Sequence, residues 1–531
     1  MRIPLLLYGL ALAVRIVLIW HFPDPAYPDA FYYVDVARAL HAGAGFTVDF
    51  IWIFPEVGGG IPAEPVLPVP SNAHWMPLAS LVQLPFLAVL GPTAVASALP
   101  FAIIGSLAAP LTWALARDAG ARSIVALGAG ILVAVPVLTA VFMVQPDNFS
   151  LYQPLVVGAL WLGARGLRGS PWSFMAAGLL AGLATLARND GLLVLGALGL
   201  AVAWDRWRAY RHHATGRPAI PLAAALACVG LFVLVMSPWW LRQLDVFGSI
   251  SPSSASGKVF FIRDIGEWNS ISTSATPDHL LGMGLGPLLL TRIGGLVAAL
   301  MIYTTLVAGF VLAPFMVLGG WARRRSIDFG PFFVYAGLLF AFSALVSAVH
   351  VPGGTFIHSA VALAPHSYIL ALEGIAVAVG WMAARRNTWD PASAMRVFSG
   401  AAITFSIGAA VLGALFVHQA WADSRTTFRQ VAAALRDAGA SASDRVMSID
   451  ASGTRYWSGL GGVVLVNDPI GTVESVARAY DIDWLVIDRA DSVAAVVPIL
   501  DGAARPAWLG EPILTEGSPT RLAVYPVVAG T

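Results

Sequence analysis

The sequence predicts a polytopic α-helical membrane protein of about eleven spans, followed by a small α/β domain. Of the 531 residues, 58% are hydrophobic and only 11% are charged, whereas a soluble domain carries about 25% charged residues. Long apolar runs recur through residues 1–419, and from about residue 420 the chain becomes more charged and alternates short helices with strands. The net charge of +1 provides no field that would attract nucleic acid, so no nucleic-acid partner is expected.

Each apolar run long enough to cross a bilayer is a candidate span. The candidates are 3–21, 94–116, 122–143, 149–164, 172–187, 190–204, 219–240, 294–319, 330–349, 360–383 and 397–418. Arginines cluster in five of the connections, at 117–122, 165–168, 206–211, 323–325 and 385–396. Positive residues favour the cytoplasm. All five clusters are cytoplasmic if the N-terminus is inside and the short apolar stretch 77–92 lies in the interface without crossing. The loop 22–93 and the domain 420–531 are then extracytoplasmic.

Asp29 follows the first span and is the leading candidate for catalysis. Residues 29–42 predict an amphipathic helix on the membrane surface, because Phe31, Val34, Ala37 and Leu40 recur at helical spacing. A carboxylate at a membrane edge can act as a general base. The alternative is that Asp29 caps this helix.

Asp147 and His74 are predicted on the same outer side and could contact substrate. Asp147 lies in Gln145-Pro146-Asp147-Asn148, where it could bind an acceptor, a metal or sugar hydroxyls, or could cap the helix that follows. His74 precedes the stretch 77–92 and could bond a phosphate or a sugar hydroxyl, although a lone histidine is more often structural.

Three basic residues could bind phosphate. Arg188 stands at a polar tip between two short spans, where the alternative is a salt bridge to Asp190. That alternative is disfavoured on a helix, because residues i and i+2 do not face each other. Arg242 follows two tryptophans typical of a membrane interface and suits a lipid headgroup or substrate phosphate. Lys258, the chain's single lysine, follows the Ser/Gly-rich segment 251–257 and suits a mobile loop over a phosphate.

His358 is the remaining substrate-binding candidate. Its neighbours His350 and His366 are each eight residues away, a spacing that does not match a compact zinc site. The sequence therefore indicates no required cofactor, and it leaves open whether a divalent metal binds.

The order of these motifs resembles the GT-C superfamily of membrane glycosyltransferases, in the branch of protein O-mannosyltransferases and lipid A aminoarabinose transferases. After the early Asp29, the similar segments are Asn72-Ala73-His74-Trp75-Met76-Pro77-Leu78, Gln145-Pro146-Asp147-Asn148, Leu183–Gly191 and Pro238-Trp239-Trp240-Leu241-Arg242-Gln243. One departure is that the family's Asp-Glu pair after the first span is Asp29-Ala30 in this chain.

The resemblance implies an inverting glycosyltransferase domain over residues 1–419, with its active site on the extracytoplasmic face of the cell membrane. The donor would be a hexose or pentose on a polyprenyl phosphate, and the acceptor an extracytoplasmic lipid, glycan or protein. Asp29 would be the base, and Arg188, helped by Arg242 or Lys258, would neutralise the leaving phosphate. The alternatives are a non-catalytic membrane scaffold whose outer domain 420–531 binds a partner, and a lipid or solute transporter.

Overall fold

The computed structural model describes residues 2–211, 218–250, 256–386, 388–490 and 493–528. Most of this chain is helical, with a sheet near the C-terminal end, as the sequence predicts. Within these ranges, seven helices are long and apolar enough to cross a membrane. They are Arg2–His21, Ala94–Asp118, Leu222–Phe247, Leu285–Val307, Ile327–Leu345, Thr355–Ala383 and Pro391–Asp437. Some of these join adjacent helical segments, which are numbered separately below. The count of eleven spans and their orientation stay predictions.

The helices are numbered in chain order. The first eleven are α1 Arg2–His21, α2 Pro28–His41, α3 Leu78–Leu81, α4 Leu84–Leu90, α5 Ala94–Gly105, α6 Ala108–Asp118, α7 Ser123–Ala134, α8 Phe149–Leu167, α9 Pro171–Ala187, α10 Leu192–Arg211 and α11 Leu222–Phe247. The next seven are α12 Pro277–Leu281, α13 Leu285–Ile302, α14 Ala313–Arg323, α15 Gly330–Leu345, α16 Thr355–Ala360, α17 Ala364–Ala383 and α18 Pro391–Asp437.

Two predicted spans are interrupted at a proline or a glycine. The stretch 122–143 is helical only as far as Ala134, because a residue before proline avoids the α conformation, and Val135 precedes Pro136. The stretch 294–319 is divided between α13 and α14. Gly309 at the break has φ 61°, and a Cβ there would come 2.7 Å from Val137.

The predicted helix 29–42 is present as α2, but its surroundings differ from the prediction. Phe31, Val34 and Ala37 are buried in protein and do not lie on a membrane surface. Two aromatic rings farther along the chain cover Phe31: Phe428 on α18 at 5.7 Å and Tyr456 at 5.2 Å between ring centroids. The prediction of a surface helix was therefore wrong, because protein covers the apolar face.

The sheet near the C-terminal end takes one strand from the outer loop. Its order is β2 (Phe50–Ile51), β5 (Gly461–Val464), β4 (Arg445–Ser448), β6 (Trp484–Asp488), β8 (Leu522–Pro526) and β7 (Leu514–Glu516). The first four strands are parallel, and β8 is antiparallel to both β6 and β7. The helices here are α19 Ala451–Ser458, α20 Ile470–Ala479 and α21 Val497–Leu500, while β1 Thr47–Val48 and β3 Val69–Pro70 form a separate pair.

The predicted boundary near residue 420 lies inside α18, which continues unbroken for 47 residues. The first helix of the predicted α/β region is therefore the end of this long helix, which stops at Asp437. Because β2 pairs with β5, the outer loop and the C-terminal segment share one sheet. The division into domains 1–419 and 420–531 stays a prediction.

Candidate functional site

Three of the predicted residues, Asp29, Asp147 and His358, meet in one cluster. The His358 ring bridges the two carboxylates, with Nε2 lying 3.6 Å from Oδ2 of Asp29 and Nδ1 lying 3.4 Å from Oδ2 of Asp147. One ligand atom from each residue lies within 4.8 Å of the other two. Residues more than 300 positions apart in sequence therefore form a single polar centre.

Asp29 is presented by the first turn of α2. The helix begins at Pro28, a position that proline suits because it needs no hydrogen-bonded N–H. Tyr27 occupies the N-cap position, so the alternative in which Asp29 caps the helix was wrong. The carboxylate instead accepts a hydrogen bond from Nε1 of Trp75, at 3.1 Å from Oδ1.

Asp147 lies in the irregular segment between α7 and α8 and is completely buried. Its Oδ2 accepts a hydrogen bond from the hydroxyl of Tyr27 at 2.9 Å, and its Oδ1 accepts one from the backbone N–H of Asn148 at 2.5 Å. Asn148 is the N-cap residue of α8, without a side-chain capping bond, so the alternative in which Asp147 caps this helix was also wrong.

His358 lies on the short helix α16, and Gly354, at φ 99°, makes the tight entry into that helix. The imidazole stacks on Phe149 of α8, with 4.2 Å between ring centroids and 24° between planes. Its Nδ1 also lies 3.3 Å from Oδ1 of Asn148. Packing and hydrogen bonding together fix the ring between the two carboxylates.

The two carboxyl groups are harder to ionise than ordinary aspartates. Burial raises the pKa of Asp29, against the hydrogen bond from Trp75 and the positive charge of Arg188. Burial, together with the nearby Asp29 charge, raises the pKa of Asp147 to about 8. Two adjacent acids with raised pKa values are typical of functional sites.

Arg188 lies at the border of the cluster. It is in extended backbone after α9, where its Nε is 3.0 Å from Oδ1 of Asp190. The salt bridge that the sequence argument disfavoured is therefore present, because the i and i+2 positions do not lie on a helix here. The guanidinium also reaches α16, donating from Nη2 to the carbonyl of Thr355 at 3.4 Å.

His74 lies beside this centre. Its carbonyl accepts a hydrogen bond from Nδ2 of Asn189 at 2.9 Å, and its ring meets the edge of Trp75 at 4.8 Å. Burial and the nearby Arg188 charge lower the pKa of His74 to about 4, so the ring is neutral at pH 7. Within the described part of the chain, its buried Nδ1 has no hydrogen-bond partner.

Arg242 and Lys258 bind backbone carbonyls of the outer loop. Arg242 donates from Nη2 to the carbonyl of Ser71 at 2.8 Å, and its guanidinium stacks over Phe46 and Trp239. Lys258 donates from Nζ to the carbonyl of Gly59 at 2.9 Å. The preceding residues 251–255 lie outside the described ranges.

Two solved structures show which fold this is. The oligosaccharyltransferase of Archaeoglobus fulgidus, in a complex with Zn and sulfate, is 14% identical with a TM-score of 0.58, covering 98% of this chain and 72% of its own. ArnT from Cupriavidus metallidurans, bound to undecaprenyl phosphate, is 14% identical with a TM-score of 0.55, covering 99% of this chain and 98% of its own. The chain has the GT-C fold. No protein-family profile and no curated protein sequence matches it.

The donor set in this GT-C fold suits a divalent metal. Two carboxylate oxygens and one imidazole nitrogen are ligands that zinc accepts, and catalytic zinc sites commonly have three protein ligands. The two carboxylates lie close together, Asp147 fully buried and Asp29 partly buried, so a cation between them would relieve their repulsion. The spacing of eight residues between histidines indicated no compact zinc site. That spacing does not include the two carboxylates, which come from distant segments of the chain.

Sequence reasoning missed the residues that hold the cluster. Tyr27 and Trp75 donate to its two carboxylates, and Asn148 contacts both Asp147 and His358. All three stand within two residues of a predicted site residue, inside segments already noted for Asp29, His74 and Asp147. The available signal was a polar hydrogen close in sequence to a predicted site residue.

Proposed function

We propose that this protein is an integral membrane glycosyltransferase. In this proposal it moves a sugar from a polyprenyl-phosphate donor to an extracytoplasmic acceptor, with inversion at the anomeric carbon. The observation that carries the proposal is the convergence of Asp29, Asp147 and His358 beside Arg188, in a chain with the GT-C fold. A non-catalytic scaffold would leave two closely spaced acids, one fully buried and one partly buried, without a purpose, and burying acids is costly.

Asp29 is the general base in this proposal. Its carboxylate takes the proton from the acceptor nucleophile as that atom forms a bond to the anomeric carbon. The bond from the same carbon to the phosphate oxygen breaks, and its electron pair leaves with the polyprenyl phosphate. A positioned base contributes about 10²–10⁴-fold to the rate. The hydrogen bond from Trp75 directs the carboxylate toward one acceptor position.

Arg188 and His74 support the departing phosphate. A fixed guanidinium stabilises negative charge that grows in the transition state, and such stabilisation is worth several kcal/mol. Arg188 keeps its position through Asp190 and the Thr355 carbonyl. The neutral His74 ring can donate one hydrogen bond to a phosphate oxygen. Arg242 and Lys258 contribute by holding the outer loop over the site.

A divalent metal, if bound, would be held by Asp29, Asp147 and His358. Bound there, it would supply Lewis-acid polarisation and charge neutralisation. The residues themselves position the acceptor and exclude water, because Asp147 is fully buried and Phe149 covers the His358 ring.

The cluster belongs on the extracytoplasmic face in this proposal. Asp29 follows the first spanning helix, and the arginine clusters of the sequence lie in the connections assigned to the cytoplasm. A reporter that is active only outside the cytoplasm, fused after Thr531, is expected to be active. Activity of a cytoplasmic reporter in its place would reverse the orientation.

The function is tested with membranes that contain the protein and radiolabelled polyprenyl-phosphate sugars. We expect label to leave the lipid and appear in an extracytoplasmic product, with polyprenyl phosphate released. Movement of intact labelled lipid between leaflets, without cleavage, would favour the transporter alternative.

A further inference from the structure

A long apolar groove lies between α14, α17 and α18, away from the candidate site. Its volume is about 350 Å³. The lining includes Val311 and Phe315, Ile375 and Met382 of α17, and Phe398 and Phe405 of α18. The three residues of the cluster come instead from α2, the segment before α8, and α16, so the groove is a separate feature.

The shape of the groove suits a hydrocarbon chain. Ile375 and Met382 are seven residues apart on α17, and so are Phe398 and Phe405 on α18. At about 1.5 Å per helical residue, each wall is roughly 10 Å long. Every lining residue is apolar. The occupant must therefore be elongated and without polar groups along this length.

The open side of the groove faces the same surroundings as the outside of α18. Phe398 is 44% exposed and Phe405 is 47% exposed, and Leu412 and Phe416 farther along the helix are exposed as well. This helix is one of the seven long and apolar enough to span a membrane. A continuous apolar surface of this kind is stable against lipid and costly against water, so the groove opens into the bilayer.

One end of the groove is basic. Trp389, in the connection between α17 and α18, lines that end and stacks on Phe398 with 5.9 Å between ring centroids. Tryptophan favours the membrane interface. Arg385 and Arg386 lie between the groove residues Met382 and Trp389, Arg396 lies two residues before Phe398, and all three arginines are exposed.

One acid accompanies the three arginines along this part of the sequence, so the net charge of residues 384–396 is positive. Asp390 is the one acidic residue between positions 384 and 396. Its carboxylate accepts hydrogen bonds from the backbone N–H groups of Ala392 and Ser393 at the start of α18. Basic clusters between membrane helices attract anionic headgroups.

We propose that this groove binds an anionic phospholipid. One acyl chain lies between α17 and α18, and the headgroup phosphate lies against Arg385, Arg386 and Arg396. The site is separate from the candidate catalytic centre and does not depend on the proposed function. Its ligand is a bilayer lipid and not the polyprenyl chain of a sugar donor.

The test is lipid binding to the full-length protein, measured by native mass spectrometry with phosphatidylglycerol and phosphatidylcholine at equal concentrations. The wild type is expected to retain phosphatidylglycerol about tenfold better than phosphatidylcholine. Ala401→Trp, which fills the exposed side of the groove, should abolish retention. The double variant R385Q/R386Q should retain phosphatidylglycerol no better than phosphatidylcholine.

The matched control is R324Q/R325Q. Arg324 stacks over Trp321 at 4.2 Å, as Arg385 stacks over Trp381 at 3.9 Å, but the control pair follows α14 and lies outside the connection between α17 and α18. This control should retain phosphatidylglycerol like the wild type. Equal retention of the two lipids by the wild type, or an equal loss in the control, would overturn the proposal. Displacement of phosphatidylglycerol by polyprenyl phosphate at equal concentration would also overturn it.

Discussion

The indole N–H of Trp75 donates a hydrogen bond to Oδ1 of Asp29, with 3.1 Å between the nitrogen and the oxygen. This bond stabilises the carboxylate and lowers the pKa of Asp29, while burial of the group raises it. Burial has the larger effect, so Asp29 has a higher affinity for protons than an exposed aspartate has. A base with a raised pKa accepts a proton more readily, which suits the proposed role.

Replacement of Asp29 by asparagine tests the proposed base directly. Asp29→Asn preserves the shape of the side chain and removes the proton acceptor, so sugar transfer should fall by about 10²–10⁴-fold. Asp35→Asn on the same helix is the matched control, because Asp35 lies near Arg38, at 3.9 Å, and not in the cluster. The initial rate of transfer in membranes with equal amounts of protein is the measurement. Full activity of Asp29→Asn would exclude Asp29 as the base.

Trp75→Phe should change the pH dependence of the reaction. Loss of the hydrogen bond removes an interaction that lowers the pKa of Asp29, so this pKa should rise further. Because the base must be deprotonated, the acidic limb of the kcat/KM profile should move to higher pH. Trp240→Phe on α11 is a control for loss of an indole. An unchanged limb in Trp75→Phe would mean that this bond does not tune the base.

Asp147→Asn and His358→Gln should weaken divalent metal binding. Each variant removes one of three ligands that lie within 4.8 Å of one another, so zinc or manganese affinity should fall at least about tenfold. Metal content after dialysis and isothermal titration give the measurement. His418→Gln on α18 is the control, because His418 meets Phe22 edge to face, outside the cluster. Wild-type protein that binds neither ion would exclude the metal centre.

The sequence indicated the polar residues of the cluster, but it did not indicate how they are arranged in space. Asp29, Asp147 and His358 stood out because polar groups in an apolar chain are costly and call for a purpose. Their mutual contacts depend on how α2, α8 and α16 pack, and local spacing contains no information about this packing. Trp75 and Tyr27 were missed for the same reason, since a donor is recognised only once its acceptor is placed.

Local sequence signals predicted where several elements begin and end, but they did not predict which helix faces are buried in protein. The predicted helix start at Asp29 is one residue from the observed start of α2 at Pro28, and the strands of the C-terminal sheet follow the alternating segments of the sequence. The pairing of Phe50–Ile51 with Gly461–Val464 joins segments about 400 residues apart, which no local pattern predicts. That pairing also explains why α2 is enclosed by protein and not by membrane.

Glu56 should make the stability of the outer loop depend on pH. It is buried and accepts a hydrogen bond from the Tyr32 hydroxyl at 2.9 Å, and burial raises its pKa to about 8. The folded state therefore holds a proton that the unfolded chain releases above its ordinary pKa of about 4.3. The stabilisation by this proton is complete below that value and is lost as the pH rises toward 8.

Glu56→Gln should remove this dependence. The amide keeps a hydrogen-bonding oxygen for Tyr32 and has no charge to bury, so the variant should gain more than about 1 kcal/mol over the wild type by pH 8. Thermal unfolding in detergent from pH 5 to pH 9 gives the measurement. Glu64→Gln, at an exposed position of the same loop, should follow the wild-type curve. Parallel curves for Glu56→Gln and wild type would contradict a proton on Glu56.

Tyr456→Ala should lower the rate of sugar transfer from a distance. Tyr456 on α19 packs on Phe31 at 5.2 Å and lies under the Arg38 guanidinium at 4.6 Å, so it supports both ends of the helix that presents Asp29. Its removal lets α2 shift, and small displacements of a catalytic group reduce rates strongly. We expect kcat to fall about tenfold with little change in the KM for the donor. Tyr525→Ala is the control. It truncates a buried tyrosine in strand β8 of the C-terminal sheet, outside α2, so it should destabilise the protein and leave kcat near the wild-type value. Equal kcat losses in the two variants would reduce the role of Tyr456 to general stability.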